Sequence, residues 1–181
     1  MEPAADSQKP LKWSRTPIIF DEEDHHDRAT VVGCLPLLVL PTIRNLKVTK
    51  MLVDGGAVLY LISPKVISKL QIADEELNVT GTFQGINPSR SRPKGRIMLP
   101  VTFEGELNYR TEKVVFDVVD LPLPYNRILG RLGLAKFIAA SHYAYNTLKM
   151  PGLVGVIPFH QMRRMQLFAW IRCIGRQLWQ R

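Results

Sequence analysis

One carboxylate in this sequence stands where a β-strand is expected to end. Asp54 lies between the β-rich apolar runs Lys47–Leu52 and Val58–Ile62, and three small residues follow it directly: Gly55, Gly56 and Ala57. A later apolar run also ends in glycine and consists of Ile128, Leu129 and Gly130. An acid held at a strand end by a glycine turn can be aimed into a cleft, and an apolar segment with a glycine can pass close beside it. The aspartate with its glycine turn, together with the later apolar segment, indicates acid-assisted hydrolysis. Asp-Gly-Gly alone is also a hairpin-turn signal.

The composition is that of one ordinary globular domain. The chain has 181 residues, of which 46% are hydrophobic, so a sizeable core can form. Its 13 prolines and 12 glycines favour strands and turns over long helices. The two cysteines, Cys34 and Cys173, lie far apart and do not suggest a disulfide framework. With no visible secretory signal and no long apolar run, we expect an intracellular, cytoplasmic protein.

Charge and hydrophobic pattern divide the chain into three parts. Residues 1–27 are polar and acidic without apolar periodicity, and we expect this leader to be disordered. Residues 28–158 carry the folded domain. Residues 159–181 contain five arginines and no acid, which accounts for most of the net charge of +8. Apolar residues at helical spacing there predict a basic amphipathic tail, which is either an extension without a folded role or an arm for nucleic acid or a membrane surface.

Short β-branched and apolar runs separated by glycine and proline predict an all-β fold. Residues 81–95, rich in Gly, Pro, Ser and Arg, predict a mobile hairpin. Short helices are expected at Pro64–Leu70 and Leu132–Phe137. Further strands are expected at Thr30–Cys34, Leu37–Leu40, Ile97–Phe103, Tyr109–Asp120, Asn126–Leu129, Tyr143–Leu148 and Val154–Ile157.

Over roughly residues 17–157 the sequence resembles the retropepsins, the aspartic proteases of retroviruses and long-terminal-repeat retrotransposons, and most closely those of plant gypsy-type elements. Beyond Val53-Asp54-Gly55-Gly56, the most telling block joins Phe116-Asp117-Val118-Val119-Asp120-Leu121-Pro122 to Pro124-Tyr125-Asn126-Arg127-Ile128-Leu129-Gly130-Arg131. A further block is His142-Tyr143-Ala144-Tyr145 with Leu148-Lys149-Met150-Pro151-Gly152.

The resemblance implies a retropepsin-like acid protease barrel with one or two short helices, active as a homodimer without cofactor or metal. Each subunit would contribute Asp54 as its catalytic residue, and the substrate would be a polypeptide, the gag-pol polyprotein of such an element. Gly56 would let its N–H approach the carboxylate, and the segment 128–130 would pack against the catalytic loop. The hairpin 81–95 would be the flap over the substrate, with three residues nearest the peptide: Phe83, Gly85 and Ile86.

The sequence departs from the family pattern at two positions of the loop. The family has Thr or Ser after the aspartate and commonly another hydroxyl residue two places further on, where this chain has Gly55 and Ala57. Each missing hydroxyl removes a hydrogen bond worth about 1–3 kcal/mol. A catalytically degenerate domain that only dimerises or binds peptides is therefore the alternative function.

Other chemically suggestive residues have simpler explanations. His25 and His26 stand beside acids, but adjacent histidines in a flexible leader rarely form a closed metal site. Cys34 sits in an apolar run and is expected to be a small core residue. Asp117 and Asp120 flank an apolar strand and are expected to be solvated at its edge rather than to form a second catalytic pair.

Overall fold

The strands within the described part of the chain pair into three β-sheets. The computed structural model describes residues 15–25, 36–79, 81, 83–84, 90–91, 93–105, 107–120, 125 and 127–160. Within these ranges the strands are β1 (Leu38–Val39), β2 (Thr42–Ile43), β3 (Leu46–Lys47), β4 (Met51–Asp54), β5 (Leu61–Ile62), β6 (Phe83–Gln84), β7 (Arg90–Ser91), β8 (Gly95–Glu104), β9 (Tyr109–Val118), β10 (Arg127–Gly130), β11 (Ala140–His142), β12 (Thr147–Pro151) and β13 (Val156–His160).

The largest sheet has eight strands in the order β1-β4-β10-β5-β9-β8-β2-β3. The longest pairing in this sheet is the β8–β9 hairpin, in which ten residues pair with ten in antiparallel register. Side chains along β8 alternate between buried and more exposed, as expected for a strand with one face on the core. Strand β10 lies between β4, to which it is parallel, and β5, to which it is antiparallel, and it is buried at all four positions.

Two short α-helices lie among the described residues and accompany the sheets. Helix α1 (Pro64–Lys69) begins with a proline, whose missing N–H is not needed in the first turn. Helix α2 (Arg131–Phe137) follows β10 without a break and ends at Ile138, which has a left-handed backbone with φ of 52°. Both helices lie within one residue of their predicted bounds. The predicted all-β fold with one or two short helices is therefore confirmed.

Aromatic side chains form the centre of the core. Phe103, Phe116 and Phe137 are fully buried, and the rings of Phe103 and Phe137 meet edge to face with centroids 4.9 Å apart. Such a contact adds about 0.5–1.5 kcal/mol to the burial of the two rings. Phe137 thereby fixes helix α2, and with it the end of β10, against the long hairpin.

The last three strands form a separate sheet in the order β11-β12-β13. The strand predicted over Tyr143–Leu148 is wrong in its first half, because residues 143–146 form the turn between β11 and β12. Asn146 ends this turn with φ of 53°, a conformation that asparagine tolerates better than most residues. The β-propensity of the tyrosines was outweighed by the turn that the asparagine permits.

Residues 15–25, which we call the amino-terminal segment, do not follow the prediction of disorder. A short 3-10 turn spans Glu22–Asp24, and Asp24 is buried against the β11–β13 sheet. There Lys149 donates to the Asp24 carboxylate at 2.6 Å and to the carbonyl of Ile19 at 2.8 Å. The ordered part of the chain therefore begins upstream of residue 28.

Two other expectations fall wholly or largely outside the described residues. The strand Thr30–Cys34 is one, and with it the environment of Cys34. The basic tail is the other, although His160 belongs to β13. No helix among the described residues has the length and apolar character needed to cross a membrane.

Candidate active site

The Asp54 side chain is held by the loop that follows it. Asp54 is the last residue of β4, and Gly55 and Gly56 turn the chain. The carboxylate oxygen Oδ1 accepts the backbone N–H of Gly56 at 2.9 Å and that of Ala57 at 3.3 Å. Among the residues that the structure describes, none donates to the second oxygen, Oδ2. The carboxylate is thus fixed through one oxygen, Oδ1.

Strand β10 lies directly beside this loop. Its parallel register with β4 pairs Ile128 with Leu52, Leu129 with Val53 and Gly130 with Asp54. Leu129 is completely buried in the main core, whereas Ile128 packs in a smaller cluster with Leu61 and Val119. The segment 128–130 and the loop 54–57 are therefore neighbours in the same sheet.

Gly130 allows β10 to approach the loop more closely than any other residue would. A Cβ built on Gly130 would lie 2.4 Å from the Leu59 carbonyl oxygen and 2.5 Å from that of Ala57. The next residue, Arg131, donates its N–H to the same Ala57 oxygen at 2.6 Å. This close contact between two backbones requires glycine at position 130. The hydrogen bond from Arg131 also joins α2 to the loop.

The other end of β10 is anchored by a buried cation. Arg127 is 5% exposed, and its Nη1 donates to the Thr49 carbonyl at 2.6 Å. Burial lowers the pKa of the Arg127 guanidinium to about 10. This bond ties the start of β10 to the chain that leads into β4, so both ends of the strand are fixed relative to Asp54.

A tyrosine from a distant part of the chain reaches the loop. The N–H of Gly55 donates to the hydroxyl of Tyr143 at 3.4 Å, although 88 residues separate the two. The sequence did not single out Tyr143 as a site residue, because the contact depends on how the β11–β12 turn is placed. The only local signal was its position in the block His142-Tyr143-Ala144-Tyr145.

The predicted flap hairpin is described only in part. Strand β6 pairs with β7 in antiparallel fashion, with Phe83 opposite Ser91 and Gln84 opposite Arg90. Gly85 and Ile86 lie outside the described residues. The backbone pairing is that of a hairpin, and the contact of Phe83, Gly85 and Ile86 with a substrate stays a prediction.

Asp117 is not the solvated edge residue that we expected. It is 3% exposed, and Arg96 on the paired strand donates Nε to its Oδ1 at 2.9 Å and Nη2 to its Oδ2 at 3.3 Å. The hydrogen bonds and the charge of Asp117 raise the pKa of Arg96. Asp117 thus has a structural partner, whereas Asp120 is exposed as predicted.

Within the described part of the chain, no three side chains of His, Cys, Asp or Glu lie close enough together to hold an ion. His25 instead packs its ring edge to face against Tyr145, with centroids 5.5 Å apart.

The comparisons with known proteins concern the fold. The sequence matches no family model and no curated protein. The structure is similar to the retroviral protease-like domain of Ddi1 from Leishmania major, with a TM-score of 0.51 and 20% identity, over 72% of this chain and 100% of that domain. It also resembles a retropepsin-like aspartic protease from Rickettsia conorii, with a TM-score of 0.42 and 20% identity, over 58% of this chain and 75% of that one.

The likeness to the first of these neighbours defines the fold of the chain. The chain has a retropepsin-like, mostly β fold with a few short helices. At 20% identity the likeness shows the fold alone, so the chemistry must be argued from the site itself.

Proposed function

We propose that this chain is an aspartic endopeptidase of the retropepsin type, derived from a plant gypsy-type retrotransposon. The observation that carries the proposal is the geometry of Asp54. Its carboxylate stands at the end of a strand, is held through Oδ1 by the N–H of Gly56, and lies beside Gly130 of the neighbouring parallel strand. A fixed acid suits general acid–base hydrolysis.

The reaction needs a second carboxylate, which a second copy of the chain would supply. Two Asp54 side chains facing each other cannot both ionise, so the pair would share one proton. The ionised carboxylate takes a proton from a water molecule, which attacks the carbonyl carbon of the scissile peptide bond. The protonated partner donates a hydrogen bond to the carbonyl oxygen, where negative charge develops. When the carbonyl re-forms, the C–N bond breaks and the proton taken from the water passes to the leaving nitrogen. Because the two acids are equivalent by symmetry, the proposal requires a homodimer.

The substrate would be a polypeptide in extended form, such as the polyprotein of the element. The hairpin that contains Phe83, Gly85 and Ile86 would close over the peptide and exclude water. The basic tail, residues 160–181, would be the arm that contacts nucleic acid or a membrane surface. A salt-sensitive affinity that disappears when residues 161–181 are removed would support such an arm.

A second candidate function is supported by the composition of the loop. Ala57 carries no hydroxyl that could reach the outer carboxylate oxygen, and no described residue donates to Oδ2. A domain of this fold that dimerises or binds peptides without cleaving them is therefore the alternative.

The two functions differ in what Asp54→Asn changes. For the endopeptidase, purified chain should cleave unfolded protein substrates at mildly acidic pH, and pepstatin and Asp54→Asn should each abolish cleavage. Asp120→Asn is the matched control, because it makes the same chemical change at an exposed aspartate. Product masses should locate the cleaved bonds, and specific activity should rise with protein concentration as dimers form.

The proposal fails if a folded, dimeric chain cleaves none of these substrates and Asp54→Asn behaves as the parent does. The alternative would then be tested by peptide binding, which should survive Asp54→Asn.

A further inference from the structure

The Tyr143 hydroxyl supplies the candidate catalytic loop with a hydrogen bond that no side chain of the loop itself can make. It accepts the N–H of Gly55, the residue directly after Asp54. The loop has no hydroxyl of its own after Asp54, because its residues there are Gly55, Gly56 and Ala57. The phenol of Tyr143 therefore provides a side-chain hydrogen bond to the loop from a distant part of the chain. At 3.4 Å the hydrogen bond is long, and its effect should be modest.

Gly55 and Tyr143 fit each other sterically. A Cβ at position 55 would lie 3.1 Å from the Tyr143 hydroxyl oxygen, closer than an ordinary van der Waals contact. The backbone conformation at position 55 does not require glycine. Among the described glycines, the one with a left-handed φ is Gly155 rather than Gly55. The absence of a side chain at position 55 therefore makes room for the phenol.

The turn that presents Tyr143 is well braced. The N–H of Tyr145 donates to Nδ1 of His142 at 3.1 Å, and these two rings stack with centroids 3.9 Å apart. Phe20 of the amino-terminal segment packs against the same His142 ring at 5.2 Å. The ring of Tyr143 is itself 46% exposed, so it is not needed to fill the core. Its placement at the loop is thus set by its neighbours rather than by its own burial.

We propose that Tyr143 is a positioning residue for Asp54. By accepting the N–H of Gly55, its hydroxyl holds the loop 54–57 in the orientation that aims the carboxylate at the substrate. This inference rests on the proposed endopeptidase function. It assigns to Tyr143 the restraint that a hydroxyl side chain within the loop would otherwise provide.

The first test compares Tyr143→Phe with Tyr109→Phe. Both remove one hydroxyl from a half-exposed tyrosine, and Tyr109 lies on β9, where its side chain makes no hydrogen bond to the described residues. Loss of one weak hydrogen bond corresponds to a fall in kcat of about threefold to tenfold. We expect this fall for Tyr143→Phe, with KM and Tm close to those of Tyr109→Phe. Equal kcat for the two variants would overturn the proposal.

A double-mutant cycle tests whether the effect passes through Gly55. The Cβ of Gly55→Ala should push the phenol away and so cause the same fall in kcat. Adding Tyr143→Phe to Gly55→Ala should then change nothing further, because the hydrogen bond is already broken. Losses that multiply in the double variant would show that the tyrosine acts by another route.

The third measurement does not depend on catalysis. The ¹H–¹⁵N signal of Gly55 should shift when Tyr143→Phe is introduced and stay in place when Tyr109→Phe is introduced. The same result is expected whether the substitution is made in the parent chain or in Asp54→Asn. If the chain proves inactive but the signal shifts, the proposed function fails and the contact stands. If the chain is active and the signal does not move, the positioning role of Tyr143 fails and the proposed function stands.

Discussion

Replacing Gly130 with alanine tests the contact on which the site geometry depends. The new Cβ would lie 2.4 Å and 2.5 Å from two carbonyl oxygens, those of Leu59 and Ala57. Ordinary contacts of this kind lie between about 3.4 and 4 Å, so β10 and the loop must separate by roughly 1 Å. Both obstacles are backbone atoms, and no rotation of a side chain can relieve them.

The separation should affect both stability and activity. Overpacking of this kind costs about 1–3 kcal/mol, which lowers the Tm of a domain of this size by roughly 2–12 °C. A displacement of about 1 Å at a catalytic group can reduce the rate about 100-fold. We therefore expect kcat/KM of the folded Gly130→Ala variant to fall by about two orders of magnitude, well beyond the effect of its lower Tm.

The assays are thermal unfolding and peptide cleavage, measured at a temperature where the variant is fully folded. Gly81→Ala is the control for stability, because a Cβ there meets nothing within 4 Å. A Gly130→Ala variant with the Tm and the kcat/KM of the parent would refute the close approach of β10 to the loop. A lower Tm with unchanged kcat/KM would show that the contact stabilises the fold without positioning Asp54.

Two ion pairs, each with a buried carboxylate, give the remaining predictions. Arg96→Met leaves the Asp117 carboxylate buried without its cation, so the free energy of unfolding should fall by about 1–3 kcal/mol. Adding Asp117→Asn should recover part of the loss, and a double variant as unstable as the sum of the singles would contradict this. Burial raises the pKa of Asp24, but the Lys149 hydrogen bond, the Asp21 N–H and nearby positive charges outweigh it, so the net pKa lies below 3.8. The contribution of this carboxylate is therefore present above about pH 4 and is lost as the pH falls through the lowered pKa. Asp24→Asn should destabilise the chain at pH 7 and progressively less as the pH falls below about 4, as measured by chemical unfolding. A difference that is the same at every pH would contradict the pairing.

Local patterns in the sequence were sufficient for the fold class and for most elements. Short apolar and β-branched runs separated by glycine and proline predicted the strands, and apolar residues at helical spacing predicted α1, because these signals depend on near neighbours in the chain. The strand predicted over Tyr143–Leu148 was wrong where the turn at Asn146 outweighed local propensity. The disorder predicted for the leader did not hold for residues 15–25, because Lys149 supplies a buried partner for Asp24 that is 125 residues away.

Some features of the candidate site could likewise be predicted from the sequence, whereas others depend on the tertiary structure. The sequence alone identified Asp54, its glycine turn and the apolar run ending at Gly130, since residue type and order are enough to mark an acid at a strand end. Only the tertiary structure decided that Gly130 stands opposite Asp54, that Arg96 neutralises Asp117, and that Tyr143 reaches Gly55. Each of these depends on strand register or on the placement of a turn, which are fixed by packing between segments far apart in the chain.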